Sequence, residues 1–209
     1  MGYIASVGLR YLRGLPSFSD ISLKQLTFKL LMLIALTSAQ RLQTLQMLDI
    51  KNLIVRETEA IFVLPKTLKQ SKPGSKELQV VCTSYPNDER LDVLRLLNLY
   101  LKRTSTLRGK ETMLFISYVP PHKAVSRDTL SRWLKEVLKA SGIDLRVYSA
   151  HSTRAAATSA ACNRDIPVEE ILKTAGWSSE KTFAKFYKRQ IDFEGKFAMS
   201  ILKQGVSDC

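Results

Sequence analysis

Metal ligands and disulfide partners are scarce in this sequence. Its three cysteines, Cys82, Cys162 and Cys209, are far apart, odd in number and form no CxxC pair, and its histidines are two, His122 and His151. That argues against a disulfide framework or a zinc knot and leaves any metal site to scattered carboxylates. Chemistry without a metal or cofactor is the expectation. Missing too are an apolar run of the roughly 18 to 20 residues a membrane span needs and a charged-then-apolar start ending in small residues. The expected setting is soluble and intracellular, nuclear if the source is eukaryotic, with no membrane partner.

Acidic residues are the other shortage. Against 19 Asp and Glu stand 32 Lys and Arg, a formal charge of +13 with a pI of about 9.8. A polyanion is the natural partner of such a chain, because each neutralised phosphate releases counterions. Charge by itself does not separate a nucleic-acid enzyme from a basic surface or a ribosomal type of role. What is plentiful is apolar: 45% hydrophobic residues over 209 positions support a genuine core, in one large domain or two small ones.

Taken in order, residues 1–21 read as an N-terminal arm or short helix with Gly8, Gly14 and Pro16. Ser22 followed by Gln25 is a capping-box pattern, and the helix it opens runs to about Ala39 with LLMLIAL apolar on every side, which predicts a buried central helix. Arg41 follows at once. A cation there is costly unless paired or facing a ligand, although capping of the preceding carbonyls is the simpler reading. Three strands are predicted at Asp49–Val55, Ala60–Leu64 and Glu77–Thr83, the last two joined by the lysine-rich turn PKTLKQSKPGSK. A helix at Arg90–Arg103, a short strand MLFIS and a Pro120-Pro121 loop come next. SRDTLSRWLKEVLKASG is then amphipathic, with Leu130, Trp133, Leu134, Val137 and Leu138 inward and Arg132, Lys135 and Lys139 outward. With Arg127, Lys69 and Lys76, those outward cations are candidates for DNA contact; a solvated face is the plain alternative. The order predicts a mainly helical α+β fold with a small antiparallel three-stranded sheet.

In YSAHSTRAAATSAAC, His151 opens a helix of small residues and Arg154 follows three positions later on the same face. The free amides of a helix start suit an anion. A second helix begins near Pro167 and stops at Gly176, directly before Trp177. Phe183, Phe186 and Tyr187 then share an apolar patch, a spacing that usually means core.

Arg41, a lysine on a β-hairpin, His-x-x-Arg, Gly-Trp and a tyrosine in a short helix together resemble the catalytic domain of tyrosine recombinases, the phage-integrase family. LTSAQRLQTLQMLDI and GWSSEKTFAKFYKR look especially similar to eukaryotic DIRS- and Crypton-type mobile-element recombinases. The resemblance covers about Ser22 to Arg189. It implies a catalytic domain over 22–209, preceded by an arm or linker and without the N-terminal helical domain that clamps the duplex. It further implies cleavage and rejoining of double-stranded DNA, with Tyr187 as nucleophile, Arg41 and Arg154 on the non-bridging oxygens and His151 as proton acceptor or hydrogen-bonding partner. Trp177 would support the phosphate. Lys72 would protonate the leaving 5′-oxygen, with Lys69 and Lys76 as rivals. A homo-oligomer on DNA through the C-terminal tail, with its stripe Phe193, Phe197 and Ile201, is implied as well; packing of that stripe in cis is the alternative.

Two departures stand out. Thr44 occupies the place where the family often has an acidic residue, and Tyr187 lies ten positions after Trp177, one more than the step associated with the family, which Phe186 fills. An inactive, domesticated DNA-binding module is therefore an alternative, as is a type IB topoisomerase relative sharing the half-reaction.

Overall fold

In the computed structural model the described residues are 2–65 and 78–177. Their elements are α1 (Gly2–Arg13), α2 (Leu23–Ser38), α3 (Leu42–Gln46), β1 (Leu53–Val55), β2 (Glu59–Val63), β3 (Gln79–Thr83), α4 (Val93–Thr104), α5 (Arg127–Ala140), α6 (Ser152–Cys162) and α7 (Val168–Ala175). Two 3-10 turns, Ile50–Asn52 and Glu89–Leu91, precede β1 and α4.

Helix α2 is the axis of the molecule. The Ser22 hydroxyl accepts the Gln25 N–H at 3.2 Å and the Gln25 side chain accepts the Ser22 N–H at 3.1 Å, so the capping box forms as its sequence predicts. Leu26, Leu30, Leu31, Met32, Leu33 and Ile34 are all buried, each worth roughly 1.5–3 kcal/mol against an exposed position. Helices α4, α5 and α6 pack around it, and α1 adds Ile4 and Leu12 to the same core. Phe28 of α2 meets Trp133 of α5 at 5.6 Å between ring centroids, with Tyr118 completing the cluster. The inward face of α5 carries the five residues its periodicity predicts.

The sheet has the order β1-β2-β3, antiparallel throughout. Leu53, Phe62 and Val80 lie side by side across it on the core face, as the period of two requires.

Three element boundaries differ from the sequence expectation. The predicted strand from Asp49 starts only at Leu53, because the Asp49 carboxylate accepts the Lys51 N–H at 2.9 Å and winds residues 50–52 into a 3-10 turn. The helix predicted from Arg90 starts at Val93. Asp88 and Asp92 each cap a turn, and the second cap opens α4. MLFIS is not a strand: it forms single bridges to two different segments, Asp49 with Met113 and Ala124 with Ile116, and never a continuous ladder. It is pinned instead by the buried Tyr100 hydroxyl, which accepts the Ile116 N–H at 3.2 Å, and by the Leu114 N–H donating to the Leu48 carbonyl at 2.6 Å.

Candidate active site

The end of α2 and the starts of α3 and α6 converge on a narrow recess lined by Gln40, Arg41, Leu42, His151, Thr153 and Arg154, with Leu45, Leu134 and Ala150 behind them. Helix α2 stops at Ala39, whose left-handed backbone (φ 50°) costs roughly 1–2 kcal/mol for a residue with a Cβ and turns the chain sharply. That turn delivers Arg41 to the N-cap of α3, where its carbonyl accepts the Leu45 N–H at 3.0 Å and its side chain is exposed. Thr44, in the same short helix, is buried at 2% exposure, so no carboxylate stands behind Arg41 from that position.

His151 caps the start of α6 through its backbone alone. Its side chain makes no cap hydrogen bond and is exposed. Arg154 sits one turn on. Alanines make this placement possible, since Ala156 is fully buried and lets α6 lie close against the core.

Helix α7 ends in a Schellman turn. Gly176 adopts φ 63°, its N–H donates to Lys173 at 3.2 Å, and the Trp177 N–H reaches back to the Leu172 carbonyl at 2.9 Å. The indole is thereby aimed at α6, and the Arg154 guanidinium lies 4.9 Å from its ring centroid.

Arg154 stands out electrostatically among the described residues. Both terminal guanidinium nitrogens are buried and have no hydrogen-bond partner among the described residues. Burial, followed by repulsion from the nearby Arg41, lowers its pKa to about 10. It remains fully charged at neutral pH. A fold leaves such a charge uncompensated at a cost, and an anion with several acceptor oxygens would supply what the donors lack.

Gln40 is a further residue at this turn that its sequence motif does not single out. It is 3% exposed, its amide nitrogen donates to the Thr174 carbonyl at 2.6 Å, and its oxygen is buried without a partner among the described residues. Nothing local in the sequence marks it, because its partner lies 134 positions away.

Of the residues singled out in the sequence, Arg41, His151 and Arg154 thus line one recess, and Trp177 packs on Arg154. Lys69, Lys72, Lys76, Tyr187 and the tail stripe lie outside the described residues. Arg127, Arg132, Lys135 and Lys139 are exposed on α5, where Arg127 pairs with Asp128 at 3.2 Å. Among the described residues there is no cluster of three His, Cys, Asp or Glu side chains that could hold a metal, and no helix is long and apolar enough to cross a membrane.

A mainly helical domain with a three-stranded antiparallel sheet thus carries two arginines and a histidine in one recess. Residues 12–192 match the profile of the Phage integrase family, and the chain belongs to that family. Its fold is shared with the XerH site-specific recombinase bound to a palindromic difH substrate in a post-cleavage complex, at 14% identity and a TM-score of 0.67 over 99% of this chain and 51% of that one. XerA recombinase matches at 15% identity and a TM-score of 0.66, over 98% of this chain and 63% of that one. A lambda integrase(75-356) dimer bound to a COC′ core site matches at 14% and 0.53, over 89% and 57%. The chain therefore spans about half to two thirds of the length of these recombinases. No curated protein matches it significantly.

Proposed function

We propose that this chain is the DNA-cleaving and rejoining domain of a tyrosine recombinase, acting through a 3′-phosphotyrosine intermediate in site-specific recombination or integration of a mobile element. The observation that carries the reading is the buried, unpartnered guanidinium of Arg154, stacked on Trp177 and facing the recess that Arg41 and His151 share. It is a preformed site for a phosphodiester. A phenol with pKa about 10 attacks poorly at neutral pH unless cations stabilise both its anion and the charge gathering on phosphorus. Arg41 and Arg154 supply that charge as forked donors aimed at the non-bridging oxygens. His151, exposed at the mouth of α6, accepts or shares the proton of Tyr187 as its oxygen bonds to phosphorus. The 5′-oxygen departs with a proton from Lys72. Energy of the broken diester is kept in the tyrosine ester, so a 5′-hydroxyl can later reverse the step without ATP.

Residues 22–209 are proposed as the catalytic unit, assembling as a homo-oligomer on duplex DNA through the tail, in the nucleus if the source is eukaryotic. The reading is tested with a nicked suicide duplex. The expected result is a covalent protein–DNA adduct that vanishes in Tyr187→Phe. DNA binding without any adduct would make the chain a non-catalytic module of the same fold, which the ten-residue step from Trp177 to Tyr187 favours. Relaxation of a supercoiled plasmid by monomer, irrespective of site, would place it with type IB topoisomerases instead.

A further inference from the structure

Helix α7 ends with carbonyls that its own backbone cannot satisfy. Leu172 and Lys173 are served by the Schellman turn, but the Thr174 carbonyl is taken by a side chain 134 positions away, Gln40. A carbonyl only accepts, so the amide nitrogen of Gln40 must face it and the amide oxygen must face elsewhere. That oxygen is buried with no partner among the described residues, a state that costs roughly 1–3 kcal/mol. A buried methionine or leucine would fill the same volume without that cost. Retention of the amide therefore calls for a use of its N–H group.

We infer that Gln40 is a positioning residue, holding the end of α7, and with it the Trp177 ring, in register with the Arg41 turn so that Arg154 is fixed between the two. The lever is short at both ends. Arg41 is the next residue after Gln40, and Trp177 lies three after Thr174 with a single Schellman turn between. Through one 2.6 Å hydrogen bond the two helix ends that carry Arg41 and Trp177 behave as one body. Without it, α7 is free to slide against α6, and the indole loses its stacking on the guanidinium. The inference deepens the strand-cleavage reading and rests on it for its catalytic consequence.

Gln40→Met preserves length and volume and removes the donor. Gln40→Glu keeps the oxygen and sets an acceptor against the Thr174 carbonyl. The expected result has two parts. Acrylamide quenching of the Trp177 emission, taken as the full-chain signal minus that of Trp177→Phe, rises about twofold in both variants, while Trp133, 3% exposed, stays protected. The rate of adduct formation at saturating nicked duplex falls about tenfold or more, with Kd for DNA within about threefold, because a displacement of an ångström misplaces the reacting groups without removing a phosphate contact. Folded variants with unchanged quenching and unchanged adduct rate would overturn the inference, and so would collapse of both variants, which would make Gln40 structural only. If the unaltered chain forms no adduct, the strand-cleavage reading fails by itself and the quenching still decides whether Gln40 holds the ring.

Discussion

Arg154 is asked to be a poor stabiliser of the fold and a good ligand for phosphate. Its two terminal nitrogens have given up water and gained no acceptor among the described residues, and the nearby charge of Arg41 repels it. The stacking on Trp177 returns part of that loss, about 0.5–2 kcal/mol for a partly desolvated pair. The sign of the pH effect follows from the folded pKa of about 10 lying below the ordinary arginine value of 12.5. Between those values the unfolded chain binds more protons, so this residue's penalty is fully present at neutral pH and is relieved only as pH rises through about 10. Arg154→Met should therefore raise the melting temperature at pH 7 by a few degrees, corresponding to roughly 1 kcal/mol once partial solvation of the group is allowed for. The same variant should lose adduct formation. Calorimetry with orthovanadate as a phosphate mimic checks the pairing: the unaltered protein should be stabilised by vanadate and Arg154→Met should not. A lower melting temperature in the variant would mean that the guanidinium already has its compensation in the free protein.

Helix starts, more than strand propensities, divide this chain into its parts. Ser22 opens α2 and Ser126 opens α5, while Asp92 opens α4 and at the same time accepts from the Ser84 hydroxyl at 2.8 Å and the Tyr85 N–H at 2.9 Å, tying the strand β3 to the helix that follows. Burial pulls the Asp92 carboxyl upward, but hydrogen bonds from Arg95, Ser84, Tyr85 and Leu94 outweigh it and leave the pKa below its ordinary 3.8. A depressed carboxylate stabilises the fold above its unfolded pKa and ceases to do so as pH falls through its folded one. Asp92→Asn should thus cost about 1–2 kcal/mol at pH 7, and the gap should narrow as pH falls below the ordinary 3.8, measured by urea unfolding across that range. An undiminished gap at pH 2.5 would assign the loss to packing. The capping box at Ser22, the buried LLMLIAL run and the stripe on α5 were legible in the sequence because each is decided within a few residues. The 3-10 turns at Asp49 and Asp88 were not, since an aspartate that caps a turn looks the same as one in a loop. MLFIS was misleading: its apolar run fits a strand, but its partners, Leu48, Tyr100 and Ala124, are chosen by the tertiary fold. At the site, Arg41, His151, Arg154 and Trp177 could be named from their order along the chain. The bond from Gln40 to Thr174 could not, because nothing local marks two positions that meet only after α2, α6 and α7 have packed.

If the chain acts on DNA as proposed, its net charge of +13 drives the encounter, and the distribution of that charge decides which part of it matters. Counterion release makes log K fall with log salt by about 0.9 for every phosphate neutralised on a duplex. The exposed cations of α5 are not equivalent in this respect. Arg127 is already paired with Asp128 at 3.2 Å, whereas among the described residues Arg132 makes a 3.5 Å contact to the Thr129 hydroxyl and no ion pair. Among the described residues no carboxylate pairs with Lys135 or Lys139, which share the outer face of the helix with Arg132. If that face lies along the backbone, replacing Arg132, Lys135 and Lys139 together by alanine should reduce the salt slope by about 2–3, and Arg127→Ala should change it by less than about 1. The triple variant should weaken binding equally on related and unrelated sequences, because phosphate contacts carry no base information. It should also leave the adduct rate at saturating DNA near that of the unaltered chain, since none of the three lines the recess. Fluorescence-anisotropy titrations between 50 and 200 mM salt give the slope directly. An unchanged slope would return these three residues to solvent and assign the DNA-facing charge elsewhere on the surface. A slope reduced together with the saturated adduct rate would instead mean that α5 orients the duplex on the Arg41–Arg154 recess as well as holding it.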